Sequence, residues 1–249
     1  MPSCAAVPLA ASRALATLTT FAALAAPGPA AFAQGNPSAP PAQEAAPPAA
    51  SAPLPARPVA VTPSFDCKKA EGQVEQLVCK DTTLARLDRE TTRLYGLALD
   101  ARSLPTAQKK TLLAEQRGWV KGRNDCAQAD DAPNCIATTY LRRIYDLRHG
   151  YAGARTQDDR GISRGPFNIR CGGVDAVIAG TFVQTDPGYA YLRWLDQQVV
   201  LRQTPAASGA RYAATLKDGE ALFWDKGPDA LLTLPGKPDM QCRVEMAAH

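Results

Sequence analysis

Two short strings in the C-terminal third carry side chains suited to chemistry at a surface. Ala207-Ser208-Gly209-Ala210-Arg211-Tyr212 sets a hydroxyl beside a glycine, and Phe223-Trp224-Asp225-Lys226-Gly227 sets an ammonium beside another. A hydroxyl donates and accepts hydrogen bonds while an ammonium only donates; by residue type alone Ser208-Gly209 also reads as a plain turn and Lys226-Gly227-Pro228 as a solvated hairpin end. Between them, Asp218-Gly219 separates two strand-like runs, a hairpin signal. With Asp218 and Gly219 as the turn, Lys217 faces Glu220, Arg211 faces Lys226, and Ser208 leaves the hairpin at the end where Lys226 sits. Nothing nearby converts Ser208 into a nucleophile: the two histidines, His149 and His249, fall at the start of a linker and at the last residue, so no base is placed beside it. Asp130-Asp131 lies in a proline-containing loop and reads as a solvated turn. No phosphate-binding glycine loop is present, and an enzyme is not expected.

From about Phe167 to Glu245 these residues resemble the MliC family, periplasmic or membrane-bound inhibitors of c-type lysozyme. The resemblance rests on Cys171-Gly172-Gly173, on the family's Ser-Gly-x-x-Tyr pattern at Ser208 to Tyr212, on Trp224-Asp225-Lys226-Gly227, and on a closing Cys242. It implies a small eight-stranded antiparallel β-barrel with c-type lysozyme as partner. Ser208 and Lys226 are implied as the residues that enter the lysozyme cleft, with Gly209, Arg211, Tyr212 and Gly227 completing the two binding strings. Asp225 stands where the family carries a small hydroxyl residue. Phe223, Trp224 and Tyr212 read as barrel packing. The remaining strands are expected at Val174 to Val183, at Tyr189 to Leu195 and Val199 to Arg202 around a turn at Asp196-Gln197, and at Leu231 to Leu234 and Arg243 to Met246.

Residues 63–150 follow a helical period instead. Asp81-Thr82 offers an N-cap, and Leu84, Leu87, Thr91, Leu94, Tyr95 and Ala98 recur on one side. Pro105-Thr106 starts a second helix with Leu112, Leu113, Trp119 and Val120, and Pro133-Asn134 a third with Ile136, Tyr140, Leu141, Ile144 and Leu147. Three amphipathic helices with short links make a small antiparallel bundle. The strings Ser64-Phe65-Asp66-Cys67, Val74 to Cys79, Leu84-x-x-Leu87-Asp88 and Glu115-Gln116-Arg117-x-Trp119-x-x-x-Arg123-x-x-Cys126 are similar to the LprI-type domain of bacterial envelope proteins, some of which are linked with lysozyme inhibition. The residues also have a purely structural reading, with Trp119 as core and Asp88, Arg117 and Arg123 as surface or cap pairs. The fold class expected is thus α+β and multidomain: a disulfide-stapled helical bundle, a linker at 151–165, and a β-barrel at 166–249.

Residues 1–33 read as a signal peptide, with an apolar run from Leu15 to Ala26 and small residues at Ala31 and Ala33. Residues 34–62 are a Pro/Ala-rich segment too poor in large apolar residues to build a core. No cysteine follows the apolar run, so a cleaved periplasmic protein is expected rather than a lipoprotein. Removing Cys4 with the signal leaves Cys67, Cys79, Cys126, Cys135, Cys171 and Cys242. In an exported chain without Cys-x-x-Cys spacing these read as disulfides, and no metal or other cofactor is expected. Spacing alone does not fix the pairing, but contiguous domains favour Cys67 with Cys79, Cys126 with Cys135 and Cys171 with Cys242. The net charge of +4 belongs mainly to the helical part, where acids alternate with the bases, so nucleic acid is not an expected partner. Anionic envelope polymers are. The competing reading is a non-inhibitory envelope module that binds protein or glycan, with the helical domain mediating assembly. Oligomeric state is left open.

Overall fold

The computed structural model describes residues 61–156 and 160–247. The expected signal peptide, Cys4, residues 34–60 of the Pro/Ala-rich segment, residues 157–159 of the expected linker and the terminal His249 lie outside the described residues. Among the described residues four α-helices, rather than the three expected, precede the barrel: α1 (Gln73–Lys80), α2 (Thr82–Leu99), α3 (Thr106–Asp125) and α4 (Ala132–Gly150). Asp81 caps α2 by accepting the Leu84 N–H, and Asp131 caps α4 by accepting that of Asn134, each satisfying a donor the helix start leaves over. The apolar sides of α2 and α4 make the core, with Leu84, Leu87, Leu94, Ile136, Tyr140, Leu141, Ile144 and Leu147 all buried. Helix α3 buries only Leu112 and Arg123 fully and lies half-open to solvent.

Asp88 and Arg123 are not the surface or cap pairs expected. Both are buried and meet through Tyr140, whose hydroxyl donates to Asp88 Oδ1 at 2.9 Å and accepts from Arg123 Nη1 at 3.0 Å. Burial is tolerated because each charge is hydrogen-bonded. Trp119 packs edge-on against Tyr140 and donates its Nε1–H to the Thr139 carbonyl. Disulfides Cys67–Cys79 and Cys126–Cys135 staple the approach to α1 and the loop between α3 and α4.

Eight antiparallel strands then close into a barrel in sequence order: β1 (Ser163–Cys171), β2 (Ile178–Val183), β3 (Tyr189–Trp194), β4 (Gln197–Thr204), β5 (Ala210–Leu216), β6 (Gly219–Asp225), β7 (Asp229–Thr233) and β8 (Met240–Met246). Alternate residues fill it, among them Ile169, Leu192, Leu201, Phe223 and Leu232, as the two-residue period of a strand requires. The closing seam is β1 against β8, where Cys171 lies directly opposite Cys242 and is bonded to it.

Two turns differ from expectation. The β3–β4 turn is Leu195-Asp196, since Trp194 pairs with Gln197. The β5–β6 turn is Lys217-Asp218, because Leu216 pairs with Gly219 and Thr215 with Glu220. Placing Asp218-Gly219 in the turn would put Asp218 in the left-handed region. In the observed hairpin only Gly219 has positive φ, at 136°. The two-residue shift keeps every side chain on its expected face, whereas a shift of one would have put Tyr212 and Phe223 on opposite faces.

Bundle and barrel belong to one unit, residues 56–249. Between them, residues 151–162 include a 3-10 turn at Ala152–Arg155. Arg148 of α4 is fully buried and donates from Nε to Ser163 Oγ at 2.8 Å and from Nη1 to the carbonyls of Thr156 and Gly165, each at 3.1 Å. Glu90 of α2 accepts from Arg93, from the Ser163 hydroxyl and from the N–H groups of Ile162 and Ser163. The first strand therefore enters the barrel gripped by two helices.

Candidate functional site

An up-and-down barrel sends alternate loops to the same end, so the β4–β5 loop with Ser208 and the β6–β7 loop with Lys226 emerge together. The last hydrogen-bonded pair of β5 and β6 is Ala210 with Asp225, which leaves Ser208-Gly209 and Lys226-Gly227 just beyond the strand ends. Ser208, Gly209, Lys226 and Gly227 are all exposed.

Gly209 is demanded by the contact between the loops. Its φ is +66°, and a Cβ added there would lie 2.2 Å from the Asp225 carbonyl oxygen. Only a residue without a side chain lets one loop pass this close to the other. Trp224 then fixes both. Its indole Nε1 donates to the Ser208 carbonyl at 2.9 Å, and the Lys226 ammonium lies 3.9 Å from the centre of its ring, within cation–π range. The contact uses the Ser208 carbonyl and leaves the hydroxyl on the surface.

Asp225 shapes the second loop. Its Oδ1 accepts the Gly227 N–H at 2.9 Å, an Asx turn of the kind a serine or threonine hydroxyl makes more weakly. Burial raises the Asp225 pKa, opposed by that hydrogen bond. The loop is closed by the Lys226 N–H donating to the Asp229 carbonyl at 2.9 Å, and Gly227 takes φ +90°.

Arg211 and Tyr212 are placed differently from the loop residues. Arg211 is half-buried and donates to Thr204 Oγ1 of the neighbouring strand at 3.0 Å. Tyr212 is buried in the barrel beside Phe182, with its pKa pushed up to about 12 by burial and then by the Asp225 charge. These two carry the hairpin rather than its exposed rim. Trp224 is the site residue that sequence reading took for barrel packing. Its position directly before Asp225-Lys226 carried the signal, since an outward-facing strand residue at that place lies under both loops.

His149 belongs to α4, not to a linker, and stacks on Tyr145 at 3.9 Å. Burial, then the charges of Arg155 and Arg193, lower its pKa to about 4. Among the described residues no group of three or more His, Cys, Asp or Glu side chains could hold a metal ion, and no helix is long and apolar enough to cross a membrane.

Residues 170–241 match the MliC family, described as membrane-bound lysozyme-inhibitor of c-type lysozyme. Over 150 residues the chain is 32% identical to "Lipoprotein LprI" of Mycobacterium bovis, an alignment spanning 60% of this chain and 70% of the relative. The same figures hold for "Lipoprotein LprI" of Mycobacterium tuberculosis strains CDC 1551 and H37Rv. No solved structure matches.

Proposed function

The chain belongs to the family of the LprI lipoproteins, and from that premise, with an MliC match over its barrel, we propose that it inhibits c-type lysozyme by placing the Ser208 and Lys226 loops in the enzyme's active-site cleft. The observation that carries this reading is the double contact of Trp224, which holds the Ser208 loop and the Lys226 ammonium together at one end of the barrel. A retaining glycosidase keeps its two catalytic carboxyl groups roughly 5 Å apart, one protonated and one ionised. The Ser208 hydroxyl bonds to that pair and the Lys226 ammonium pairs with the ionised acid or a neighbour. The inhibitor offers no bond for cleavage, and its own role is not catalytic. Loops fixed before association lose little freedom on binding. Three disulfides support work in an oxidising space outside the cytoplasm, where peptidoglycan is the polymer protected.

The test is a titration of c-type lysozyme on cell-wall substrate with the full chain and with Ser208→Ala and Lys226→Ala. Each substitution is expected to weaken inhibition about thirtyfold, the loss typical of a central contact. The Lys226→Ala effect should shrink as salt is added, being mainly Coulombic. If both variants stay folded and inhibit like the parent chain, the loop-insertion reading is wrong.

A further inference from the structure

A large cleft lies where the bundle meets the outside of the barrel, about 1440 Å3 in volume, with α3 and α4 as one wall and β3, β4 and β5 as the other. It is separate from the Ser208 and Lys226 loops. It reaches β5 only from Ala213 onward, about 17 Å along the strand from Ser208. Its volume exceeds the roughly 300–1,000 Å3 usual for small-molecule pockets. Along α4 the lining residues Asn134, Thr138, Arg142 and Asp146 recur every fourth position, a polar stripe about 18 Å long. Both dimensions suit an extended oligomer.

The fold leaves this space open at some cost to itself. Gly118 and Gly122 of α3 line it, and a Cβ built on either meets nothing within 4 Å. Glycine inside a helix is destabilising relative to alanine, and neither position is required by packing. Among the described residues four buried side-chain polar atoms lack a hydrogen-bond partner, and two of them belong to cleft residues: Arg143 Nη2 and His149 Nε2. The rest of the Arg143 guanidinium is committed, with Nε to Gln116 at 3.0 Å and Nη1 to Glu115 at 3.2 Å.

The lining also has a definite chemistry. Trp119, Tyr189 and His149 line it as half-buried aromatic residues, His149 with one face stacked on Tyr145 and Trp119 with the Arg123 guanidinium 5.4 Å from its ring centre, and Arg142 and Arg202 are exposed and form no ion pair among the described residues. Arg193 lies at the limit of ion pairing from Asp146, at 4.0 Å. Pyranose rings stack their C–H faces on aromatic rings and spend their hydroxyls on amides, hydroxyls and imidazoles. A planar guanidinium matches a carboxylate. We propose that this cleft binds a carboxylate-bearing saccharide oligomer, with Arg142, Arg193 and Arg202 receiving the carboxylates and the rings of Trp119, Tyr189 and His149 receiving the sugars. Occupation leaves the lysozyme-directed loops free, so the protein can rest on an acidic glycan while those loops act.

Calorimetric titration of the full chain with the tetrasaccharide of alternating N-acetylglucosamine and N-acetylmuramic acid, against the neutral N-acetylglucosamine tetrasaccharide, tests this. The acidic oligomer should bind at least about tenfold more tightly, the order expected when a charge-assisted contact is gained. Arg142→Glu, on an exposed helical position, should weaken its binding about tenfold or more. Gly122→Leu should weaken it similarly while raising the unfolding temperature, because it fills empty space and favours the helix. Ser208→Ala should leave saccharide binding unchanged, which separates this site from lysozyme inhibition. Absence of binding by the parent chain, equal or tighter binding of the neutral oligomer, or unchanged binding in the folded Arg142→Glu protein would each overturn the proposal.

Discussion

Trp224 donates its indole N–H to the backbone carbonyl of Ser208 at 2.9 Å, tying the start of β5 to the end of β6 outside the ladder of the hairpin itself. The bond holds the Ser208 loop, while the same ring lies under Lys226. The position of the hydroxyl and that of the ammonium are thereby set by one side chain.

Trp224→Phe keeps an aromatic face beneath Lys226 and removes the donor to Ser208. Inhibition of c-type lysozyme should weaken about fivefold, the equivalent of one ordinary hydrogen bond, and the unfolding temperature should hardly move because the bond is exposed. Inhibition curves and a thermal melt on the same preparation check it. Full potency in Trp224→Phe would mean that the loop is positioned by other contacts.

Gly209→Ala should be more damaging than Gly227→Ala. Both residues have positive φ, but only at Gly209 does the added Cβ run into backbone, the Asp225 carbonyl at 2.2 Å. At Gly227 the cost is the left-handed conformation alone, about 1–2 kcal/mol. Denaturant unfolding of the two variants should rank them in that order, and Gly209→Ala should also lose inhibition because the two loops separate.

Glu90 should make the junction of bundle and barrel sensitive to acid. Burial acts to raise its pKa, but hydrogen bonds from Arg93, Ser163 and Ile162 and the charge of Arg93 outweigh it, so the folded value is lowered from 4.5. A depressed carboxyl pKa contributes stability that is complete above the unfolded value and is lost as pH falls through the folded one. Glu90→Gln should therefore be less stable than the parent chain at neutral pH, and the gap should close as pH falls below about 4.5. A gap that stays constant from neutral pH to well below that value would show that Glu90 acts without its charge.

Replacing Cys171 and Cys242 together by alanine should cost roughly 4 kcal/mol, from release of a loop with a sequence separation of 71 residues. Guanidinium unfolding with the parent chain as reference measures this. A barrel of this size draws only a few kcal/mol from its core, so the variant should sit close to its folding threshold.

What the sequence disclosed and what it hid follow from distance along the chain. Helices α2 and α4 were legible because Leu84, Leu87, Leu94 and Ile136, Tyr140, Ile144 repeat within a few residues. Short α1, Gln73–Lys80, gave too few turns for a period to show. The β5–β6 hairpin was legible in its strands, but its turn depended on which residue takes the positive φ, and Gly219 does so from the first position of β6 rather than from the turn. Asp88 and Arg123 read as surface charges because the hydroxyl that joins them, that of Tyr140, is 52 residues from Asp88. Arg148 likewise shows no sign in sequence of being fully buried, since its acceptors begin six residues later and continue into the barrel. The Ser208 and Lys226 strings were legible as strings, whereas the Trp224 bridge required the register of β5 against β6.

Because β1 pairs with β8 as well as with β2, no strand of the barrel presents an unsatisfied row of N–H and C=O groups. An open sheet of the same strands would offer a template on which a second molecule could extend the ladder. Molecules of this protein crowded along one polymer therefore have no ladder to propagate from one to the next. Among the described residues, self-association through the barrel would have to be made from side chains rather than from a shared ladder, and would be open to removal by point substitution without unravelling the fold.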